Sequence, residues 1–262
     1  MTVTVARKQI EDELQRIEAE EQVRIIYACE AGSRAWGFSS ADSDYDVRFL
    51  YVRPVDWYLS IFDRRDVIER PISDQLDLNG WDLKKALNLF RKSNPPLLEW
   101  LQSPQLYWER YTVTEQIRKL SPLTFSPRSS MYHYLHMAKG NFREYLQGDM
   151  VKIKKYFYVL RPILACQWIE AHGSMPPMDF EQLVEGVLPG NQLKQEVHTL
   201  LARKKAGDFL ELEPKVRVIH DYLERQIAYF EETAKYVPAS GEKQDDALDT
   251  LFREALREVW GS

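Results

Sequence analysis

The chain has 262 residues and a mass of 30.9 kDa, long enough to bury roughly 70–75% of its extended surface without disulfides or metals. Its 44% hydrophobic, 12% aromatic and 29% charged residues exclude a fibrous, collagen-like or wholly disordered protein. Cys29 and Cys166 form no C-x-x-C pair, so reducing cytosol is the expected setting, and a formal net charge of -5 argues against tight non-specific nucleic-acid binding across the whole surface while permitting a local basic groove.

The first residues lack the apolar core of a secretion signal, and no export is expected. Ile10, Leu14 and Ile17 recur at helical spacing and predict a helix over residues 8–22, followed by a short apolar strand over 23–30. That strand runs into AGSRAWGFSSADSD, rich in turn residues, before the chain resumes at 45–52 as YDVRFLYV. There the side chains alternate: Asp44, Asp46 and Arg48 share one face, and Tyr45, Val47, Phe49 and Tyr51 the other. Pro54 closes this strand. Residues 57–74 read as a short helix or excursion, and 75–78 as a return strand. Leu83, Ala86, Leu87 and Phe90 predict a helix over 82–91 capped by Asp82 and stopped by Asn94-Pro95-Pro96. Two short apolar runs, LLEWL and QLYWERY, then end the α/β unit.

From Pro127 onward the pattern is helical, over 131–146, 151–171, 178–187, 191–205 and 213–236, with a last helix at 248–260 beyond a loose linker. Pro162 is expected to kink the second of these. The most apolar stretch, 156–169, is only about 14 residues long and contains Arg161, short of the roughly 20 needed to cross a membrane. The expectation is an α+β protein in two domains, a mixed-sheet unit over 1–115 and an all-helical unit over 116–262.

The chemistry concentrates in Gly32-Ser33, ten residues, then Asp44-Tyr45-Asp46. Carboxylates at i and i+2 of a strand lie on one face, their β-carbons roughly 6–7 Å apart, and their hard oxygens suit Mg²⁺ bound to phosphate. Gly32 permits close backbone approach, and the Ser33 hydroxyl and amide can donate to phosphate oxygens. Alone, a D-x-D pair also fits a solvated strand entrance. Trp36 and Phe38, in the loop between turn and carboxylates, either stack on a base or fold back onto the protein. His133, His136, His172, His198 and His220 have no recognised ligand spacing, so no zinc centre is expected.

The segment GSRAWGFSSADSDYDVRFLYV, completed by QLDLNGWDLKKALNLFRKSNPPLLEWL, resembles the DNA polymerase beta nucleotidyltransferase superfamily, in the uncharacterised branch of proteins found beside RNA ligases. The resemblance covers about residues 22–170 and implies a nucleotidyltransferase core in which Gly32 and Ser33 grip phosphate. Asp44 and Asp46 with a third acid, Asp77, would then be the catalytic metal ligands, with Asp82 as the rival for third place. Asp77 is preferred because it lies between Leu76 and Leu78 with its side chain opposed to both, whereas Asp82 suits a helix cap.

The implied activity is transfer of a nucleoside monophosphate from an NTP, ATP among the candidates, with Mg²⁺ or Mn²⁺, to an RNA end, a protein or a small molecule. Arg34 is a candidate triphosphate contact, and Arg48 either neighbours the site or pairs with Asp46. VKIKKYFYVLRPILACQWI resembles the family's second signature and implies Lys155, Tyr158 and Arg161 as nucleotide or acceptor ligands. The competing reading of that segment is a solvated basic strip, with an arginine paired to an acid of another helix. Tyr132, His136, Lys139 and Arg143 either extend this basic wall or ride on a plain amphipathic helix. An inactive nucleotide-binding module and an RNA-binding accessory protein are the alternative functions.

Overall fold

The computed structural model describes residues 3–73, 75–208, 212–239 and 241–261. The first half runs α1 (Val3–Glu21), β1 (Arg24–Glu30), the single turn α2 (Gly32–Ala35), β2 (Tyr45–Val52), the turn α3 (Val55–Tyr58), β3 (Val67–Ser73), β4 (Leu76–Asp82), α4 (Leu83–Phe90), α5 (Pro95–Leu101) and β5 (Leu106–Glu109). The second half follows as α6 (Val113–Thr124), α7 (Pro127–Tyr145), β6 (Met150–Lys152), a 3-10 turn (Ile153–Tyr156), α8 (Phe157–His172), α9 (Phe180–Val187), α10 (Gln192–Ala206), β7 (Leu212–Pro214), α11 (Arg217–Thr233) and α12 (Asp245–Trp260). The fold is α+β: a five-stranded mixed sheet followed by a helical region.

The strands lie in the order β3-β4-β2-β1-β5, with β2 and β4 parallel and every other pairing antiparallel. The alternation in β2 sets its two faces. Val47, Phe49 and Tyr51 pack with Ile10, Leu14 and Ile17 of α1, while Leu50 and Val52 face α4, α5 and α6 on the other side. Gly80 of β4 stands opposite Phe49 in the ladder, and a Cβ there would lie 2.0 Å from the Phe49 ring. A side chain is therefore excluded at Gly80 by the ring that covers it.

In the second half α8 forms the centre of a separate apolar cluster. Phe157, residues 159–166 and Ile169 are all buried, including Arg161, with α7, α9, α10 and α11 packed around them. A helix apolar on nearly every side belongs in a core. Pro162 lies inside α8, which runs through it without a break in its assignment. Helix α12 returns to the sheet half: Leu248, Leu251, Ala255 and Leu256 join the α4–α6 cluster. Its ends are tied by Arg91 Nη2 to Asp245 Oδ2 at 2.7 Å and by the Thr112 amide to Glu258 Oε1 at 3.0 Å. Both cysteines are buried and free, and among the described residues no helix is long and apolar enough to cross a membrane.

Several elements differ from the sequence expectation, among them α6 (Val113–Thr124), which lies where no helix was expected. Residues 67–73 form an edge strand, β3, whose adjacent charges Glu69 and Arg70 broke its period of two; Pro71 sits there because an edge strand can forgo a ladder donor. LLEWL, read only as a short apolar run, lies in α5, started by an Asn94 cap on the Leu97 amide and by Pro95 in the first turn. The helix expected over 151–171 begins only at Phe157, because residues 150–152 pair with β7 and residues 153–156 form the 3-10 turn. That two-stranded ribbon interrupts the otherwise helical second half, and its formation depends on a segment some 60 residues away, which local periodicity cannot register.

Replacement of Gly80 by alanine is expected to lower unfolding free energy by about 1–3 kcal/mol, the range for overpacking a filled core. Urea titration monitored by circular dichroism measures the shift in midpoint.

Candidate active site

Strand β1 ends at the fully buried Glu30, and the chain turns at once into α2. The Ala31 amide donates to the Asp46 carbonyl at 2.8 Å, which brings the turn against the start of β2. Gly32 has φ +58, and a Cβ there would fall 2.0 Å from Asp46 Oδ2. Both the backbone conformation and the carboxylate thus require glycine. From the other side Glu30 accepts the Asp46 amide at 2.8 Å and the Tyr107 hydroxyl. Burial pushes the Glu30 carboxyl up, and these two donors oppose it.

Asp46 and Asp77 are register partners in the parallel β2–β4 ladder. Arg48 bridges them, its Nη2 lying 3.0 Å from Asp46 Oδ1 and 2.9 Å from Asp77 Oδ2. Its Nη1 donates to the Val47 carbonyl at 3.0 Å. Burial raises the Asp46 pKa; Arg48 pulls it down, and Asp77 and Asp44 push it up again. Asp82 is elsewhere: five residues along β4, about 16 Å by strand rise, it caps α4 through the Lys84 amide and accepts the Tyr58 hydroxyl, each at 2.8 Å. Among the described residues no three His, Cys, Asp or Glu side chains are grouped closely enough to form a metal cage, and the Asp46–Asp77 pair converges instead on the guanidinium of Arg48.

A cleft of about 430 Å³ opens between this sheet end and the helical half. Gly32, Ser33, Asp44 and Asp46 all border it, together with Asp42. Lys154, from the 3-10 turn, and Lys204, near the end of α10, line it with Tyr158 of α8. Burial pulls the Lys204 pKa down and nearby Lys154 adds to that, against the attraction of Asp44 and Asp42. Burial raises the Tyr158 hydroxyl, with Asp46 and Asp44 adding to it. The cleft therefore sets carboxylates beside the glycine turn and carries ammonium groups from the helical half within their electrostatic reach. A second groove of about 420 Å³, lined by Arg64, Arg65, Lys84 and Lys85, contains Asp82 but none of the other candidate residues.

The other candidates occupy different positions. Arg34 donates to the Asp44 carbonyl at 3.0 Å and the Ser43 carbonyl at 2.6 Å, with its guanidinium over the Tyr45 ring. It braces the loop that carries Asp44. Lys155 does not border the cleft and stacks its ammonium on Tyr145 and Tyr158; its neighbour Lys154, in the same 3-10 turn, does. Arg161 is 3% exposed and forms a buried pair with Glu99 of α5, Nη1 to Oε1 at 2.6 Å. Lys139 of α7 pairs with Glu231 of α11, so from α7 the cleft receives Met137. Phe38 folds back into the α8–α9 core, 4.9 Å from the Phe157 ring and 5.3 Å from the Phe180 ring, and both it and Trp36 line the cleft.

Sequence reading missed Glu30, Glu99 and Lys204, and it placed Lys154 on a common helical face with Tyr158 and Arg161 without choosing it as a ligand. A buried acid at the end of an apolar strand was the available signal for Glu30; Glu99 and the two lysines gain their positions only from the way the helices pack.

The chain matches the RNA repair pathway DNA polymerase beta family, RlaP, over residues 6–254. It belongs to this family. A relative, the uncharacterised protein YcgL of Bacillus subtilis strain 168, is 54% identical over 254 residues, covering 97% of this chain and 98% of that one. A solved nucleotidyltransferase-like protein from Exiguobacterium sibiricum 255-15 overlaps 87% of this chain and 77% of its own at 12% identity and a TM-score of 0.35, an overlap too slight to argue from. Membership in RlaP agrees with the resemblance carried by the GSRAWGFSSADSDYDVRFLYV motif.

Replacing Arg161 by methionine strands the Glu99 carboxylate and is expected to cost about 3–5 kcal/mol, the range for breaking a buried pair from one side. Replacing Lys155 by methionine removes only ring contacts and is expected to cost about 1 kcal/mol or less. Guanidinium unfolding of the two variants compares them directly.

Proposed function

We propose that this RlaP protein transfers a nucleoside monophosphate from an NTP to an acceptor, with a divalent cation that Asp44 and Asp46 of the cleft would hold together with Asp77, which does not line it, once the Arg48 guanidinium gives up Asp46 and Asp77. The observation that carries this reading is the cleft itself, where carboxylates, a glycine-serine turn and two lysines meet. The donor chemistry fits Mg²⁺ or Mn²⁺: carboxylate oxygens are hard ligands, and one cationic group, Arg48, already draws Asp46 and Asp77 together. A bound Mg²⁺ supplies charge neutralisation at the triphosphate and acidity at the acceptor hydroxyl.

The chain's own residues do the rest. Gly32 lets the Asp46 carboxylate pack against the turn, and the Ser33 hydroxyl, which borders the cleft, donates to a phosphate oxygen. Lys154 and Lys204 take the negative charge that builds on the leaving pyrophosphate, and Tyr158, beside Asp44 and Asp46, donates from its neutral hydroxyl. Arg34 keeps Asp44 at the lip by holding two loop carbonyls. The RNA repair description of the family supports an RNA end as the acceptor.

A nucleotide-binding module without transfer is favoured by one observation, the Arg48 guanidinium standing between Asp46 and Asp77. Incubation with each labelled NTP, Mg²⁺ and cell lysate separates the readings. Transfer predicts label in RNA together with pyrophosphate release, both lost with EDTA, and a fall of roughly 100-fold or more for Asp46→Asn. Triphosphate binding with no pyrophosphate released under any acceptor would leave the module; label in protein or metabolite would replace RNA as the acceptor.

A further inference from the structure

Glu99 is a buried acid with an uneven environment. Its Oε1 accepts two short bonds, from Arg161 Nη1 and from the Tyr134 hydroxyl, each at 2.6 Å. Its Oε2 accepts only the Trp36 indole N–H, at 3.4 Å, a length at which a hydrogen bond contributes little. Glu99 and Trp36 both border the cleft, and Met178, whose sulfur lies 3.8 Å from Arg161 Nη2, borders it beside them.

The indole is held on several sides. The Arg161 guanidinium lies over its ring at 4.5 Å, and its backbone carbonyl accepts the Phe180 amide at 2.9 Å. Trp36 follows the last residue of α2, so its backbone stands four residues, about 6 Å by helical rise, from that of Gly32, and both residues border the cleft. A ribose spans a gap of that size. With phosphates at the glycine turn, the base therefore falls beside an indole and a carboxylate oxygen whose hydrogen-bonding capacity is largely unspent.

We infer that Glu99 is a specificity-determining residue that accepts, through Oε2, the exocyclic amino group of a nucleobase stacked beside Trp36, so that the site takes amino-bearing bases and rejects uracil. This rests on the triphosphate reading of the cleft and adds the class of base to it. Ionised carboxylate oxygens only accept, and adenine and cytosine present an N–H₂ donor on the pairing edge where uracil presents a carbonyl. Guanine also offers an amino donor. Uracil in that place sets oxygen against oxygen, and the Arg161 and Tyr134 bonds to Oε1 keep the carboxylate from turning away. Discrimination by a buried polar group left unpaired is large compared with discrimination by shape.

Equilibrium dialysis of the full chain with Mg²⁺ and no acceptor tests the assignment, comparing ATP with purine riboside triphosphate, which lacks only the amino group, and CTP with UTP. Loss of a hydrogen bond to a charged acceptor predicts about tenfold to a hundredfold weaker binding of the second member of each pair. In Glu99→Gln the amide can turn a donor toward a carbonyl, so both ratios are expected to fall to about one. A partly unfolded variant lowers the binding of both nucleotides alike and leaves the ratio readable; the wild-type comparison needs no variant. Equal affinities within each pair overturn the inference while leaving the transfer reading intact. Ratios that persist in Glu99→Gln overturn the assignment to Glu99. No binding by any triphosphate overturns the transfer reading and this inference together.

Discussion

The Asp46 carboxylate rests against the Cα of Gly32, where no side chain could be accommodated. This close approach depends on two backbone bonds that bracket Asp46: its carbonyl accepts from Ala31, and its amide donates to the buried Glu30. The end of β1, the turn and the start of β2 are thereby one rigid corner. Because β2 is an inner strand with β4 parallel on its other side, the same corner sets Asp77 beside Asp46. The arrangement of acids around the cleft follows from a glycine that lets one strand end pack tightly on another.

A second tie joins the halves of the molecule. Arg161 of α8, Glu99 of α5, Tyr134 of α7 and Trp36 beyond α2 meet in one buried polar group. Such a pair adds little net stability over an apolar replacement of both partners, because two charges must be taken out of water. Its geometry matters more. It holds the helical half against the loop that leaves the glycine turn, while Phe38 in the same loop is packed between α8 and α9. Cleft width and the position of Trp36 are fixed by the same contacts.

Arg48 relates the sheet to its electrostatics. Burial alone would keep Asp46 protonated to higher pH, and the guanidinium works against that while Asp77 and Asp44 work with it. Two neighbouring carboxylates on parallel strands need a positive charge near them, and in the protein by itself Arg48 provides it. The opposite charge in the cleft comes from Lys154 and Lys204, which different elements of the helical half contribute.

Much of this was legible in local patterns, and the limits were physical. Alternation in 45–52 placed the faces of β2 because a strand has a period of two, and Asp82 read as a cap because the helix after it begins at Leu83. The motif GSRAWGFSSADSDYDVRFLYV pointed to the RlaP branch because the turn and the strand it carries are adjacent in the chain. Edge strand β3 was hidden by its charges, and the β6–β7 ribbon by the distance between its strands. Lys155 was implied by the resemblance of its segment to the family's second signature, yet Lys154 is the lysine of that turn that borders the cleft, and Arg161 is paired with an acid on α5. The amino-acid sequence by itself determined the glycine turn, the paired acids and the family, since each depends on neighbours within a few residues. Only the tertiary structure decided which lysines and which buried acid join them, because those side chains reach the cleft through helix packing that no local period encodes.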